Sequence, residues 1–128
     1  MAKRLSKALR GKRRWVGIEC TAQFDSRSSL AKHLSDLFES IEQTGEFELM
    51  EFYPAGSEVA IDTVSSLDGT EPRGFGILQI PHSAYEAVRL LFERDDSLSH
   101  HGVHSLTSSG KIRLVRERLN LPRPNRNR

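Results

Sequence analysis

From Trp15 onward, side chains on alternate positions separate into two sets: Val16, Ile18, Cys20 and Ala22 share one face, and Trp15, Gly17, Glu19 and Thr21 the other. A period of two is that of a β-strand. The stretch DSRSSLAKHLSDLFESIEQTG changes the period. It spaces Leu30, Leu34, Leu37, Phe38 and Ile41 as the stripe of a helix, behind a serine-rich cap and with Gly45 as its stop. Strands are predicted again in EFELMEFY, where Phe47 and Leu49 share a face before Pro54, and in EVAIDTV, where Val59, Ile61 and Thr63 alternate. SSLDGTEPR reads as a polar loop, and GFGILQI as a strand whose Gly74 and Gly76 expose backbone on one face and which Pro81 ends. Ser83 and Glu86 have capping-box spacing ahead of a second helix with the stripe Tyr85, Val88, Leu91 and Phe92. HGVHSLT predicts the last strand. After Gly110, Ile112, Val115 and Leu119 mark a third, arginine-bearing helix that ends before Pro122.

Strand, helix, two or three strands, helix, strand, helix is an α+β order containing the split β-α-β of a ferredoxin-like, RRM-like sandwich. The pattern predicts an antiparallel sheet with helices on one face, the other face free, and a basic C-terminal helix. Phe47, Phe52 and Phe75 are expected in the core by alternation. Phe75 in RGFGIL only loosely matches the central ribonucleoprotein signature, whose further aromatics are absent.

A chain of 128 residues is one domain's worth. Residues 14–121 are expected to form it, with a basic extension over 1–13 and a basic, flexible tail over 122–128. No apolar run is long enough for a membrane span, and the basic N-terminus has no apolar run behind it, so a cytoplasmic location is expected. The lone Cys20, on the core-facing side of a strand, is expected to be an inert thiol.

The net charge of +2 conceals a strong segregation. Residues 1–14 carry seven cations and no acid, residues 111–128 carry seven cations against Glu117 alone, and the stretch between holds five cations and sixteen acids. Cations clustered at both ends are the electrostatic footprint of a polyanion binder.

Enzyme chemistry finds little support. SSGK lacks the spaced first glycine of a nucleotide loop and a hydroxyl after the lysine for magnesium. His100, His101 and His104 have no cysteine nearby and read as surface residues beside a turn, and His33 as a solvated helix residue. The carboxylates are spread over polar faces rather than paired around a pocket. Ser109, Gly110 and Lys111 read as a strand-to-helix junction able to offer backbone donors and cations to a phosphate.

Four segments in order resemble the archaeal and eukaryotic ribonuclease P protein component 2 family: KRLSKALRGKRRWVGIE, FELMEFYP, GFGILQIPHSAYEAVRLLF and SSGKIRLVRERL. The last is similar to that family's Ser-Gly-Thr-Ile-Arg motif, with Lys111 in place of the threonine. Two other features depart from the family pattern: the longer segment from Gly56 to Arg73, and the acidic middle. The resemblance implies a non-catalytic, RNA-binding accessory subunit of ribonuclease P, the ribonucleoprotein that removes the 5′ leader of precursor transfer RNA. The RNA would perform the hydrolysis with its own Mg2+, and the protein would bind no cofactor or metal. The implied partners are ribonuclease P RNA, precursor tRNA indirectly, and ribonuclease P protein component 3, in a heterodimer or heterotetramer. Exposed apolar residues of the second helix and the adjoining strand would meet that protein. The expected RNA contacts are Lys3, Arg4, Arg10, Lys12, Arg13, Arg14, Ser109, Gly110, Lys111, Arg113 and Arg116. The alternative from another class is a ferredoxin-like regulatory or protein-assembly module without RNA.

Overall fold

The computed structural model describes residues 13–43, 47–67, 69 and 71–122. The elements are β1 (Arg13–Cys20), α1 (Arg27–Ser40), β2 (Glu48–Tyr53), α2 (Glu58–Ser66), β3 (Gly74–Pro81), a 3-10 turn (His82–Ala84), α3 (Tyr85–Phe92), α4 (Ser97–His101), β4 (Val103–Ser109) and α5 (Ile112–Arg118). The expected head and tail fall almost wholly outside the described residues.

The four strands form one sheet in the order β2-β3-β1-β4, with every neighbouring pair antiparallel. β1 and β2 therefore run parallel on either side of β3, joined through α1, and β3 and β4 run parallel on either side of β1, joined through α3. These two split β-α-β units make the α+β architecture compatible with a ferredoxin-like fold.

Alternation along the two central strands decides where the helices go. Val16, Ile18 and Cys20 of β1 and Leu78 and Ile80 of β3 bury one face against Leu30, Leu34 and Phe38 of α1 and Val88 and Phe92 of α3. Phe75 and Ile77 of β3 bury the opposite face with Ala60 of α2, Val115 and Leu119 of α5, and Leu121. The expected one-sided sheet is thus corrected: helices cover both faces. The physical reason is the nearly continuous apolar run GFGILQI, the pattern of a strand buried on both sides rather than one. Gly17 makes the second layer possible. A Cβ there would lie 2.6 Å from Leu119 Cδ1 and 2.9 Å from Val115 Cγ1.

The predicted strand in EVAIDTV is also corrected, to helix α2. Its alternating residues coexist with a helical stripe of Val59, Ala60, Thr63 and Val64, and the Ser57 hydroxyl caps the helix by accepting the Ala60 N–H at 3.2 Å. Ile61, which alternation would bury, is 57% exposed. The Ser83–Glu86 capping box does not form. The chain makes its 3-10 turn after β3, so Ser83 lies inside that turn and Ala84 is the cap residue of α3, without a side-chain bond. A capping box does form at α1, between Ser26 and Ser29. The helix ends at Ser40 with Ile41 as its cap, followed by Glu42 in the left-handed region at φ 61°. Gly45, the expected stop, lies outside the described residues. Of the three phenylalanines expected in the core, Phe75 is buried, while Phe47 and Phe52 are half-buried at its margin.

Arginines reach both outer strands. Arg27, at the start of α1, donates to the carbonyls of Leu49 and Met50 where the β2 register shifts. Arg118, at the end of α5, donates to Thr107 Oγ1 at 3.0 Å and the Ser108 carbonyl at 2.9 Å on β4. α5 closes with Asn120 at φ 57° and the Leu121 N–H on the Arg116 carbonyl at 2.9 Å, which turns Leu121 into the second core.

Candidate nucleic-acid interface

The pairing of β1 with β4 sets Trp15 opposite Ser109. Arg13 and Arg14, at the start of β1, therefore lie beside the junction that leaves β4. Segments almost a hundred residues apart in sequence meet at one end of the sheet.

At that junction Ser109 is nearly buried and its hydroxyl accepts the Lys111 N–H at 3.1 Å, a local turn that redirects the chain into α5. Lys111 is the N-cap residue in extended conformation, and its side chain is exposed. Gly110 is exposed, with open space where a Cβ would stand and no left-handed backbone, so the local fold does not require glycine there.

The ion pairs separate the described cations into two groups. Lys32 pairs with Asp36, Arg73 with Glu19 and Glu71, Arg89 with Glu86 and Glu93, Arg94 with Asp96, Arg113 with Glu117 and Arg116 with Glu51. Arg27 is held by two carbonyls. Among the described residues, five cations have no carboxylate partner: Arg27 lies beside β2, and Arg13, Arg14, Lys111 and Arg118, the last bonded to neutral oxygens of Thr107 and Ser108, lie at or beside the Trp15–Ser109 end of the sheet. Their charge is not neutralised locally, so it projects a positive potential into solvent there.

The expected contact residues are accordingly divided. Arg13, Arg14, Ser109, Gly110 and Lys111 come together. Arg113 is exposed but shares its charge with Glu117 at 3.3 Å. Arg116 is turned inward: its Nε and Nη2 both lie 2.5 Å from Glu51 Oε2, and the Tyr53 hydroxyl donates to Oε1 at 3.1 Å. Burial, reinforced by the Glu51 charge, raises the Tyr53 phenol above its ordinary range. Lys3, Arg4, Arg10 and Lys12 lie outside the described residues. Arg118 was legible but unselected, since seven residues after Lys111 is two helical turns and hence the same side of α5. Tyr85 and Ser108 also belong to this end: the Tyr85 hydroxyl is 2.8 Å from Ser108 Oγ, and the Arg14 guanidinium carbon lies 4.3 Å from the Tyr85 ring centre.

Of the histidines, His100 is exposed as expected, whereas His33, His101 and His104 are half-buried. His33 Nε2 lies 2.5 Å from the His101 carbonyl, tying α1 to α4, and its ring lies 4.8 Å from that of Phe24. His104 Nδ1 lies 3.4 Å from Glu19 Oε2. His101 is half-buried, and burial with the adjacent His100 lowers its pKa. Among the described residues, no three His, Cys, Asp or Glu side chains are grouped to hold a metal ion, and no helix is long and apolar enough to cross a membrane.

Cys20 is fully buried, and burial is the main cause that pushes its thiol from 9.0 up to about 12. A thiol neutral in the folded state but ionising near 9 once unfolded contributes stability below that pH, and the contribution fades as pH rises toward 12. Cys20 is therefore expected to resist iodoacetamide at pH 8 in the native protein and to react on unfolding in urea. Native labelling at the unfolded rate would contradict its burial.

Compared with known proteins, the chain matches no family model, no curated protein and no solved structure.

Proposed function

We propose that the chain is a non-catalytic RNA-binding subunit of a ribonuclease P-type ribonucleoprotein, acting in the cytoplasm. Its cations neutralise phosphates crowded around the catalytic RNA as that RNA removes 5′ leaders from precursor tRNA. The observation that carries this reading is the gathering of Arg13, Arg14, Lys111 and Arg118 at one end of the sheet without carboxylate partners among the described residues. Phosphate contacts of this kind position a protein without reading sequence. Magnesium is expected on the RNA rather than on the protein.

The mode differs from base stacking on an open sheet. Phe75 is 1% exposed beneath α2 and α5 and cannot receive a base without displacing a helix. Component 3 is the proposed protein partner, and Leu90, 66% exposed on α3, is the apolar side chain assigned to it.

Filter binding of ribonuclease P RNA and precursor tRNA across salt concentrations tests the RNA reading. Four neutralised phosphates give a slope of log affinity against log salt of about −3, from roughly −0.7 to −0.9 per phosphate. Lys111→Glu with Arg118→Glu should flatten that slope by at least about 1. A wild-type protein that binds neither RNA at low salt would sink the reading. A protein-assembly module without RNA is the second reading, favoured by the apolar groove that Pro54, Ala55, Ile61, Val64 and Pro72 line beside α2.

A further inference from the structure

We propose that Arg14, seated over the Tyr85 ring, is the fork that grips an RNA phosphodiester at this end of the sheet, with Tyr85 and Ser108 as its positioning residues. The assignment rests on the RNA-binding reading above and goes beyond it by separating one arginine from the general positive potential.

Three observations single out Arg14. Its guanidinium carbon stands 4.3 Å from the Tyr85 ring centre, inside the range of a cation–π contact. The ring is itself anchored to a neighbouring element, because the Tyr85 hydroxyl is 2.8 Å from Ser108 Oγ, so α3 and β4 together fix the seat. The Arg14 Nε is buried with no hydrogen-bond acceptor among the described residues, and no carboxylate there pairs with its charge. The arginine is therefore positioned by an aromatic face, and among the described residues its donors have no recorded acceptor. Arg116 is the opposite case, with its donors already on Glu51.

Pre-seating changes what binding costs. A free arginine loses several rotamers when it grips an anion, whereas one held by a ring has lost most of them beforehand. The planar fork then meets two phosphate oxygens at once, a geometry that a lysine ammonium cannot reproduce. Arg13, one residue earlier, is exposed and without such a seat. It should act only as a charge.

The comparison that tests this holds charge constant. Arg14→Lys is expected to weaken binding of a labelled oligouridylate and a labelled RNA hairpin about tenfold, with the salt slope unchanged. Arg13→Lys should stay within about twofold of wild type, because counterion release depends on charge alone. Tyr85→Leu should match Arg14→Lys, and the double variant should be no weaker than either, since the residues act as one unit. Tyr85→Phe, which keeps the ring and loses the Ser108 tie, should fall between. Circular dichroism and urea midpoints confirm that each variant is folded.

Wild-type binding with Arg14→Lys unchanged would overturn this assignment while leaving the RNA reading intact. No wild-type binding of either probe while ribonuclease P RNA is still bound would overturn this assignment alone, and loss of binding to every RNA at low salt would overturn both. Inorganic phosphate, matched to the RNA in phosphate concentration, is expected not to displace it. Displacement would mean that the seat takes free phosphate, and the phosphodiester assignment would fall.

Discussion

Phe38→Ala should destabilise the protein by about 3–5 kcal/mol, the usual cost of emptying a phenylalanine site in a packed core. Phe38 is 1% exposed. Its ring stacks on Phe47 at 4.1 Å and meets the edge of Phe92 at 5.9 Å, so it joins α1, the approach to β2 and α3 in a single contact set. A domain of this size holds a total margin of roughly 5–15 kcal/mol, so the variant should show a much lower urea midpoint. Phe47→Ala should cost less, because its ring keeps part of its surface in water in the native state. Equal losses at the two positions, or a Phe38→Ala loss below about 1 kcal/mol, would contradict this packing.

The second large effect is expected at Glu51. Glu51→Ala strands the Arg116 guanidinium between α5 and β2, where the two side chains are only 18% and 15% exposed. Removing one partner of a fully buried pair costs about 3–5 kcal/mol, and residual water access lowers the expectation here to about 2–4 kcal/mol. Replacing both by leucine should recover most of the loss, since no buried charge is then left alone. A thermal-unfolding double-mutant cycle measures the coupling directly. Near-additive losses would mean that the pair is only a surface contact. This cycle also distinguishes the two roles open to Arg116: a brace for α5 moves stability and leaves the salt dependence of RNA binding alone.

Much of the fold was legible in the pattern of side chains. β1, α1, α3 and α5 follow from period-two and period-3.6 stripes, β3 from its apolar run ended by Pro81, and the strand order follows the split β-α-β connectivity those elements imply. What failed did so for identifiable reasons. In EVAIDTV both periods fit a short run, and the deciding signal was the Ser57 cap rather than the alternation. One-sided coverage failed because Phe75 and Ile77 give β3 a second apolar face, which needs its own helices. The site was legible by charge but not by pairing. Residues 111–118 read as uniformly basic, yet Arg116 lies within the stripe of Ile112, Val115 and Leu119, a position that turns it toward the sheet and Glu51. Tyr85 was assigned to an apolar stripe, and only the β4 register reveals Ser108 beside it.

The hydrogen bonds from Arg27 to Leu49 and Met50 and from Arg118 to Ser108 have a consequence for assembly. Among the described residues β2 and β4 have no neighbouring strand on their outer side, and each has a main-chain carbonyl occupied by a charged group delivered from a helix. An incoming extended peptide would have to displace that arginine before it could add a fifth strand. At those points an added strand, from another copy or from a peptide, meets an acceptor that is already engaged. The two arginines that fasten helices to the sheet thus also guard its two outer strands.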